Sequence, residues 1–88
     1  MYLAKVIGTV VSTSKDPRLT GFKLLLTRRL TQDAVEDGLP EVCIDTVGAG
    51  SGETVIVTKG SSARFAADRP DAPIDSTIVG IVDTVEIG

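Results

Sequence analysis

Runs of apolar and β-branched residues recur along the chain, separated by clusters of Gly, Pro and Asp. Such runs are typical of β-strands, because β-branched side chains fit a pleated surface and the cluster residues favour turns. The pattern predicts five strands, over residues 2–14, 22–29, 41–46, 54–58 and 74–87. The chain is therefore expected to be an all-β protein.

The first and last of these strands are apolar on both faces. In the first strand, Ala4 and Val6 lie on one face and Ile7 lies on the other. A strand with one face in water carries polar residues at alternate positions, so both faces of these strands are expected to be covered. Gly8 and Gly80 lie in mid-strand, where glycine indicates a bulge or a bend.

Five short strands with glycines in the long first and last ones predict a small, partly open β-barrel of OB type. After the fourth strand, residues 60–64 predict the start of a single short helical turn, with Ser61 or Ser62 as its N-cap. Arg69-Pro70 is expected to end this helix. Residues 65–67 are expected to cover one end of the barrel.

Two connections carry clear turn signals. In residues 15–18, Pro17 presets φ and the carboxylate of Asp16 can accept hydrogen bonds from the local backbone. Residues 30–40 predict a longer loop with at most a turn of helix at residues 34–36. This loop is a candidate for the features that are particular to this protein.

Composition bounds the molecule to one small domain over residues 1–88, since so short a chain has no room for a second core. Hydrophobic residues make up 42% of the chain, which argues against disorder. No apolar run approaches the ~18 residues of a membrane span. The single cysteine, Cys43, fits a reducing compartment. We therefore expect a soluble cytosolic domain that contacts no membrane.

The formal net charge is −3, and the chain contains no histidine. An acidic balance argues against nucleic-acid binding, which needs clustered Lys and Arg to neutralise phosphates. Without histidine, one chain cannot form the usual zinc ligand sets. It also cannot form a Ser-His or Cys-His nucleophilic pair. The sequence therefore predicts a protein that is not an enzyme and has no cofactor or metal site.

Glycines concentrate just before the fourth strand, at Gly48, Gly50 and Gly52. The run begins like a dinucleotide-binding fingerprint, but Glu53 stands where the last glycine is needed, and a strand rather than a helix follows. A structural turn between two strands is the better interpretation. Asp45 precedes this turn and is expected to accept hydrogen bonds from turn amides rather than to act as a general base.

Three blocks of the sequence, in this order, carry a family resemblance. Residues 5–26 open with Lys-Val-Ile-Gly, residues 45–64 contain the glycine turn and end in Gly-Ser-Ser-Ala-Arg, and residues 75–83 form a closing strand. Together they resemble the EutN/CcmL family, the pentameric vertex proteins of bacterial microcompartment shells. The resemblance is weakest over residues 28–40, where Arg28-Arg29 stands in place of the family's more common Gln-Pro.

The apolar surplus on the strands predicts burial against other copies of the chain, and head-to-tail contacts that close give a finite ring. The resemblance implies that the ring is a homopentamer and that the fold is a five-stranded barrel. It also implies that the pentamer caps the vertices of an icosahedral shell, among hexameric shell proteins, in the bacterial cytoplasm. Candidate residues close to a subunit interface or a pore are Asp45, Gly48, Gly50, Gly52, Ser61, Ser62 and Arg64.

Two other functions remain as alternatives. The first is an OB-fold nucleic-acid-binding module, which would use aromatic platforms and a basic groove; the chain has three aromatic residues and an acidic balance. The second is a small-molecule enzyme that uses Asp45, Lys59 or Arg64, for which a pocket around a strongly perturbed Lys59 is the minimum requirement.

Overall fold

A computed structural model describes all of residues 1–88 and contains five strands, one α-helix and one turn of 3-10 helix. The elements are β1 (Tyr2–Val10), the 3-10 turn (Pro17–Leu19), β2 (Lys23–Arg29), β3 (Glu41–Asp45), β4 (Thr54–Lys59), α1 (Gly60–Ala66) and β5 (Ser76–Val82). The strands form a barrel in the order β1-β2-β3-β5-β4, closed by pairing of β4 with β1. The predicted all-β five-stranded barrel is confirmed, although it is closed rather than partly open.

The barrel closes through one short parallel seam. All other neighbouring strands pair antiparallel, whereas β3 and β5 pair in parallel at Ile44–Thr77 and Asp45–Ile78. This pairing joins segments that lie far apart in the sequence, and local patterns carry no signal for it. The predicted barrel is present, and only the expectation that it is partly open was wrong, for this reason.

Bulges bend the barrel where the sequence predicted them. The register of β1 against β2 shifts between Val6 and Gly8, and the register of β4 against β5 shifts between Ile56 and Val57, beside Gly80. A Cβ at Gly80 would lie 3.2 Å from Cδ1 of Ile56, which is closer than ordinary van der Waals contact. Glycine at this position therefore lets β5 pass close to β4.

The first and last strands are shorter than predicted, because β1 ends at Val10 and β5 ends at Val82. The apolar residues beyond those ends have no partner strand in the chain. Val11 is 86% exposed, and Val85 and Ile87 are also exposed. The segments were predicted as strands from their apolar content, but a single chain offers nothing for them to pair with.

Two apolar clusters stabilise the fold. The first fills the barrel and consists of eight fully buried residues, Ala4, Val6, Leu25, Cys43, Ala49, Val55, Val57 and Ile78, with Tyr2 packed against them. The second lies outside the barrel wall, between β3 and the segment that joins α1 to β5, and consists of Ile44, Ala63, Ala67, Ala72 and Ile74. The helix and the connector therefore cover one part of the outer barrel surface.

Helix α1 begins two or three residues earlier than the predicted serine cap implied. Its N-cap is Lys59, no side chain caps it, and Ser61 and Ser62 lie inside the first turn with their surfaces exposed. The prediction of a serine cap was wrong, because β4 stays paired with β5 up to Lys59, and the Gly60 N–H donates to the Asp75 carbonyl at 2.9 Å. The chain therefore passes from strand to helix with no residue between.

The predicted cover of the barrel end by residues 65–67 was also only partly right. Phe65 is 72% exposed and faces away from the protein, whereas Ala63 and Ala67 are buried in the second cluster. The hydroxyl of Thr77 donates to the Ala63 carbonyl at 2.8 Å and fixes the helix to β5. The helix therefore packs through its small residues. It is the longest regular helix of the chain, and it is too short to cross a membrane.

Candidate subunit interface

The turn between β3 and β4 is organised by the carboxylate of Asp45, as predicted. Its Oδ1 accepts a hydrogen bond from the Val47 N–H at 3.1 Å, and its Oδ2 accepts one from the Ala49 N–H at 3.0 Å. Lys23 donates to the Ala49 carbonyl at 2.5 Å, and its Nζ lies 3.9 Å from Asp45 Oδ2. Both carboxylate oxygens of Asp45 therefore accept hydrogen bonds from turn amides within the chain, which supports a structural role for Asp45.

The glycines of this turn serve different purposes. Gly48 and Gly52 have φ angles of 80° and 88°, which favour glycine over any residue with a Cβ. Gly50 does not have a positive φ; its N–H donates to Glu53 Oε1 at 2.7 Å. The Gly52 N–H donates to the Val6 carbonyl at 2.7 Å, which fixes the turn to β1. The turn is therefore rigid and lies against the edge of the barrel wall.

The remaining candidate residues lie on α1, away from the turn in the sequence. The hydroxyls of Ser61 and Ser62 make no hydrogen bond within the chain, and both residues are exposed. Arg64 is half-buried, and its Nη1 donates to the Ile74 carbonyl at 3.3 Å. Of the two roles predicted for Arg64, the ion pair is absent from the chain, and a contact with another molecule stays a prediction.

The seven candidate residues therefore divide between two elements. Asp45, Gly48, Gly50 and Gly52 belong to the β3–β4 turn, whereas Ser61, Ser62 and Arg64 belong to α1.

The sequence did not reveal two apolar grooves on the outside of the barrel. These grooves depend on which residues face outward and come together in the closed barrel, so sequence spacing alone gave little signal for them.

The first groove, here called the β1–β4 groove, has a volume of about 230 Å³. It lies between the loop that follows β2 and the segment that follows β5. Its wall includes Leu3, Leu30, Thr54, Val82 and Val85. Leu3 and Thr54 belong to the paired strands β1 and β4, so this groove marks the side of the barrel where those two strands meet.

The second groove, here called the β3 groove, has a volume of about 260 Å³. It is lined by Leu19, Leu24, Val42, Ile44, Pro73 and Ile74, together with two polar residues. Val42 of β3 is 48% exposed here, although the three residues that follow it in the strand are buried. This groove opens beside the short β3–β5 seam, where the connector from α1 reaches β5.

The order of strands places the grooves on opposite sides of the barrel. Around the barrel, β3 is separated from β1 by β2 and from β4 by β5. The molecule therefore has two different apolar faces on opposite sides, and neither face is covered within one chain. Each groove is therefore a candidate for contact with another molecule.

The pKa shifts of Lys59 and Cys43 run in the directions that disfavour nucleophilic catalysis. The hydrogen bonds that the Lys59 ammonium donates to the carboxylates of Glu41 and Asp75 raise the pKa of Lys59, whereas a nucleophilic lysine needs a lowered pKa. Burial raises the pKa of the Cys43 thiol, which disfavours the reactive thiolate. No three His, Cys, Asp or Glu side chains lie close enough together to hold a metal ion. The minimum requirement for the enzyme alternative at Lys59 is therefore not met.

Comparison with known proteins identifies the family. Residues 1–83 match the family model described as "Ethanolamine utilisation protein EutN/carboxysome". The bacterial microcompartment shell vertex protein GrpN of Rhodospirillum rubrum is 59% identical over 86 residues, which cover 98% of this chain and 97% of GrpN. The carboxysome shell vertex protein CcmL of Synechocystis is 52% identical over 87 residues, which cover 99% of this chain and 87% of CcmL.

The fold comparison agrees with the sequence comparison. A solved structure described as the GrpN pentameric microcompartment shell protein from Rhodospirillum rubrum superimposes with a TM-score of 0.88 at 58% identity, covering 100% of this chain and 99% of that chain. These matches give no support to the nucleic-acid-binding alternative. The chain belongs to the EutN/CcmL family of microcompartment shell vertex proteins.

Proposed function

We propose that this chain assembles into a homopentamer that caps the vertices of an icosahedral bacterial microcompartment. The observation that carries the proposal is the pair of apolar grooves on opposite sides of a barrel whose sequence is 59% identical to a shell vertex protein. A structural protein of this kind needs no catalytic group and no cofactor. Its place of action is the shell, in the bacterial cytoplasm.

The two grooves support a ring rather than a two-fold dimer. An isologous dimer uses the same surface on both subunits, whereas head-to-tail contacts join two different surfaces and close into a ring when the rotation allows. Two distinct apolar faces on opposite sides of one barrel suit the second arrangement, with the β1–β4 groove of one subunit facing the β3 groove of the next. The number five rests on the relatives described as pentameric.

The candidate residues are assigned roles within this ring. The β3–β4 turn, which contains Asp45 and residues 48–52, is compact and rigid, so it suits a junction where backbones crowd near the ring axis. Ser61 and Ser62 have free hydroxyls on an exposed helix, and together with Arg64 they suit polar contacts to neighbouring subunits or to hexameric shell proteins. A tapered pentamer among flat hexamers then supplies the curvature that closes the shell.

The proposal is tested by producing the hexameric shell proteins of the same bacterium with and without this chain and imaging the products. We expect closed polyhedral particles with the chain and open sheets or tubes without it. A Val42→Asp variant, which charges the β3 groove, is expected to behave like omission of the chain. Val11→Asp places the same charge at a residue that is 86% exposed and outside both grooves, and it is expected to leave closure intact. Closed particles that form equally well without the chain would contradict the proposal.

A further inference from the structure

The segment that follows β5, residues 83–88, is here called the arm. It contains no strand, and its two apolar side chains are exposed, Val85 by 51% and Ile87 by 69%. In an extended segment, residues two apart point to the same side. The arm can therefore present Val85 and Ile87 together to one apolar surface, with Glu86 on the opposite side.

The arm begins on the face that the proposed ring turns towards a neighbour. Val82, Thr84 and Val85 line the β1–β4 groove of their own chain, together with Leu3 of β1. Val85 remains half-exposed at this position, so its own groove does not bury it. The remainder of its surface is available to the subunit that packs against this face.

The β3 groove offers the matching surface. It is lined by aliphatic residues of β2, β3 and the connector, and it leaves Val42 half-exposed beside the short β3–β5 seam. The nearby guanidinium of Arg69 lies 5.6 Å from the centre of the Phe22 ring, which packs on the cluster beside the groove. Arg69 makes no ion pair in its own chain, and Glu86 of the arm has the opposite formal charge. Since Glu86 points away from the groove when Val85 and Ile87 face it, the two can pair only at the rim of the groove. Asp75 also lines the groove and pairs with Lys59 at 3.2 Å, so the aliphatic side chains carry the match.

The arm cannot fill the β3 groove of its own chain. That groove lies at the start of β5, near Ser76, and the arm leaves the strand at Val82. The six steps between these residues span about 20 Å at the usual rise of a strand. Val85 lies three residues beyond Val82 and reaches at most about 11 Å from it. Ile87, five residues beyond Val82, reaches at most about 18 Å from it. An arm that docks in a β3 groove therefore docks in the groove of a second copy of the chain.

We propose that the arm of each subunit docks in the β3 groove of the next subunit, with Val85 and Ile87 against Val42 and its aliphatic neighbours. This inference rests on the ring proposed above and names the segment that connects its subunits. Each subunit gives one arm and receives one, so the contacts continue around the ring until it closes. The arm thereby covers Val42 in the groove and buries its own Val85 and Ile87, all of which are exposed in a single chain.

A disulfide cross-link tests this contact directly. In the double variant Val42→Cys with Val85→Cys, the two new thiols lie on opposite sides of one chain and meet only between adjacent subunits. Mild oxidation is expected to give a ladder of covalent species up to five subunits on a non-reducing denaturing gel. The matched control, Val42→Cys with Val11→Cys, is expected to remain monomeric on the gel. Both variants retain the buried Cys43, so its contribution to the background is the same.

The outcomes separate this inference from the proposed function. A wild-type chain that is monomeric by native mass spectrometry would overturn both proposals. If the wild type and the double variant are both pentameric but no ladder forms, the docking of the arm is overturned alone. A ladder that stops at two subunits would overturn the head-to-tail contact.

Removal of residues 84–88 is expected to shift the native mass from five subunits to one at low concentration, with an unchanged barrel signal by circular dichroism. A truncated chain as pentameric as the wild type would also contradict the inference.

Discussion

Replacement of Asp45 by alanine tests whether the β3–β4 turn depends on one buried carboxylate. The side chain is 2% exposed and accepts two backbone hydrogen bonds. The Ala49 N–H is buried, and a buried donor without a partner costs about 2 kcal/mol. Val47 is 39% exposed, so water can partly replace the hydrogen bond that its N–H donates to Asp45. Loss of this hydrogen bond therefore costs about 1 kcal/mol. The distant, half-exposed Lys23 adds less than about 1 kcal/mol.

Asp45→Ala is therefore expected to lower the free energy of unfolding by about 3 kcal/mol. For a domain of this size, that corresponds to a fall of roughly 12–24 °C in Tm. Urea unfolding followed by circular dichroism measures the change, at one fixed subunit concentration because association stabilises the folded chain by mass action.

Glu53→Ala is the matched control for this experiment. It removes a carboxylate of the same turn, which accepts the exposed Gly50 N–H, and is expected to cost less than about 1 kcal/mol. Burial is the property that distinguishes the two carboxylates. Equal losses of unfolding free energy in Asp45→Ala and Glu53→Ala would therefore refute the claim that the buried carboxylate of Asp45 holds the turn together.

Three further predictions concern individual groups. Gly48→Ala, at a φ of 80°, is expected to cost about 1–2 kcal/mol in urea unfolding, and Gly50→Ala less; equal costs would refute the strain argument. The hydrogen bonds from Arg18 lower the pKa of Asp16 from 3.8 to about 2, so their stabilisation is complete above pH 3.8 and is lost as the pH falls towards 2. NMR titration should show the pKa returning towards 3.8 in Arg18→Ala, and an unchanged value would contradict this cause. Because burial raises the pKa of the Cys43 thiol, alkylation at neutral pH should be slow until denaturant unfolds the chain, and fast labelling of native protein would be inconsistent with its burial.

The sequence allowed the strands and their bends to be predicted because those features are local. The β-branched residues of β4 favour a pleated sheet whatever lies around them, and glycine at position 8 or 80 marks a bulge in the same strand or beside it. The role of Asp45 was also predictable, since a carboxylate just before a glycine turn reaches amides two and four residues further along.

The features that the sequence missed depend on distant parts of the chain. The barrel closes through the parallel pairing of β3 with β5, and Lys59 rather than a serine precedes α1 because β5 holds β4 to its last residue. The β3 groove joins residues from β2, β3 and the connector. Apolar residues such as Val85 were predicted to lie in strands, but strand formation also needs a partner, which one chain does not provide.

The solution mass of the purified chain tests the central claim most directly. Native mass spectrometry at low protein concentration is expected to show one species at five times the chain mass of 9.2 kDa. Such a species would agree with the closed ring that the two apolar faces and the pentameric relatives support. A stable monomer would contradict the account, because both grooves would then remain exposed to water in the functional state.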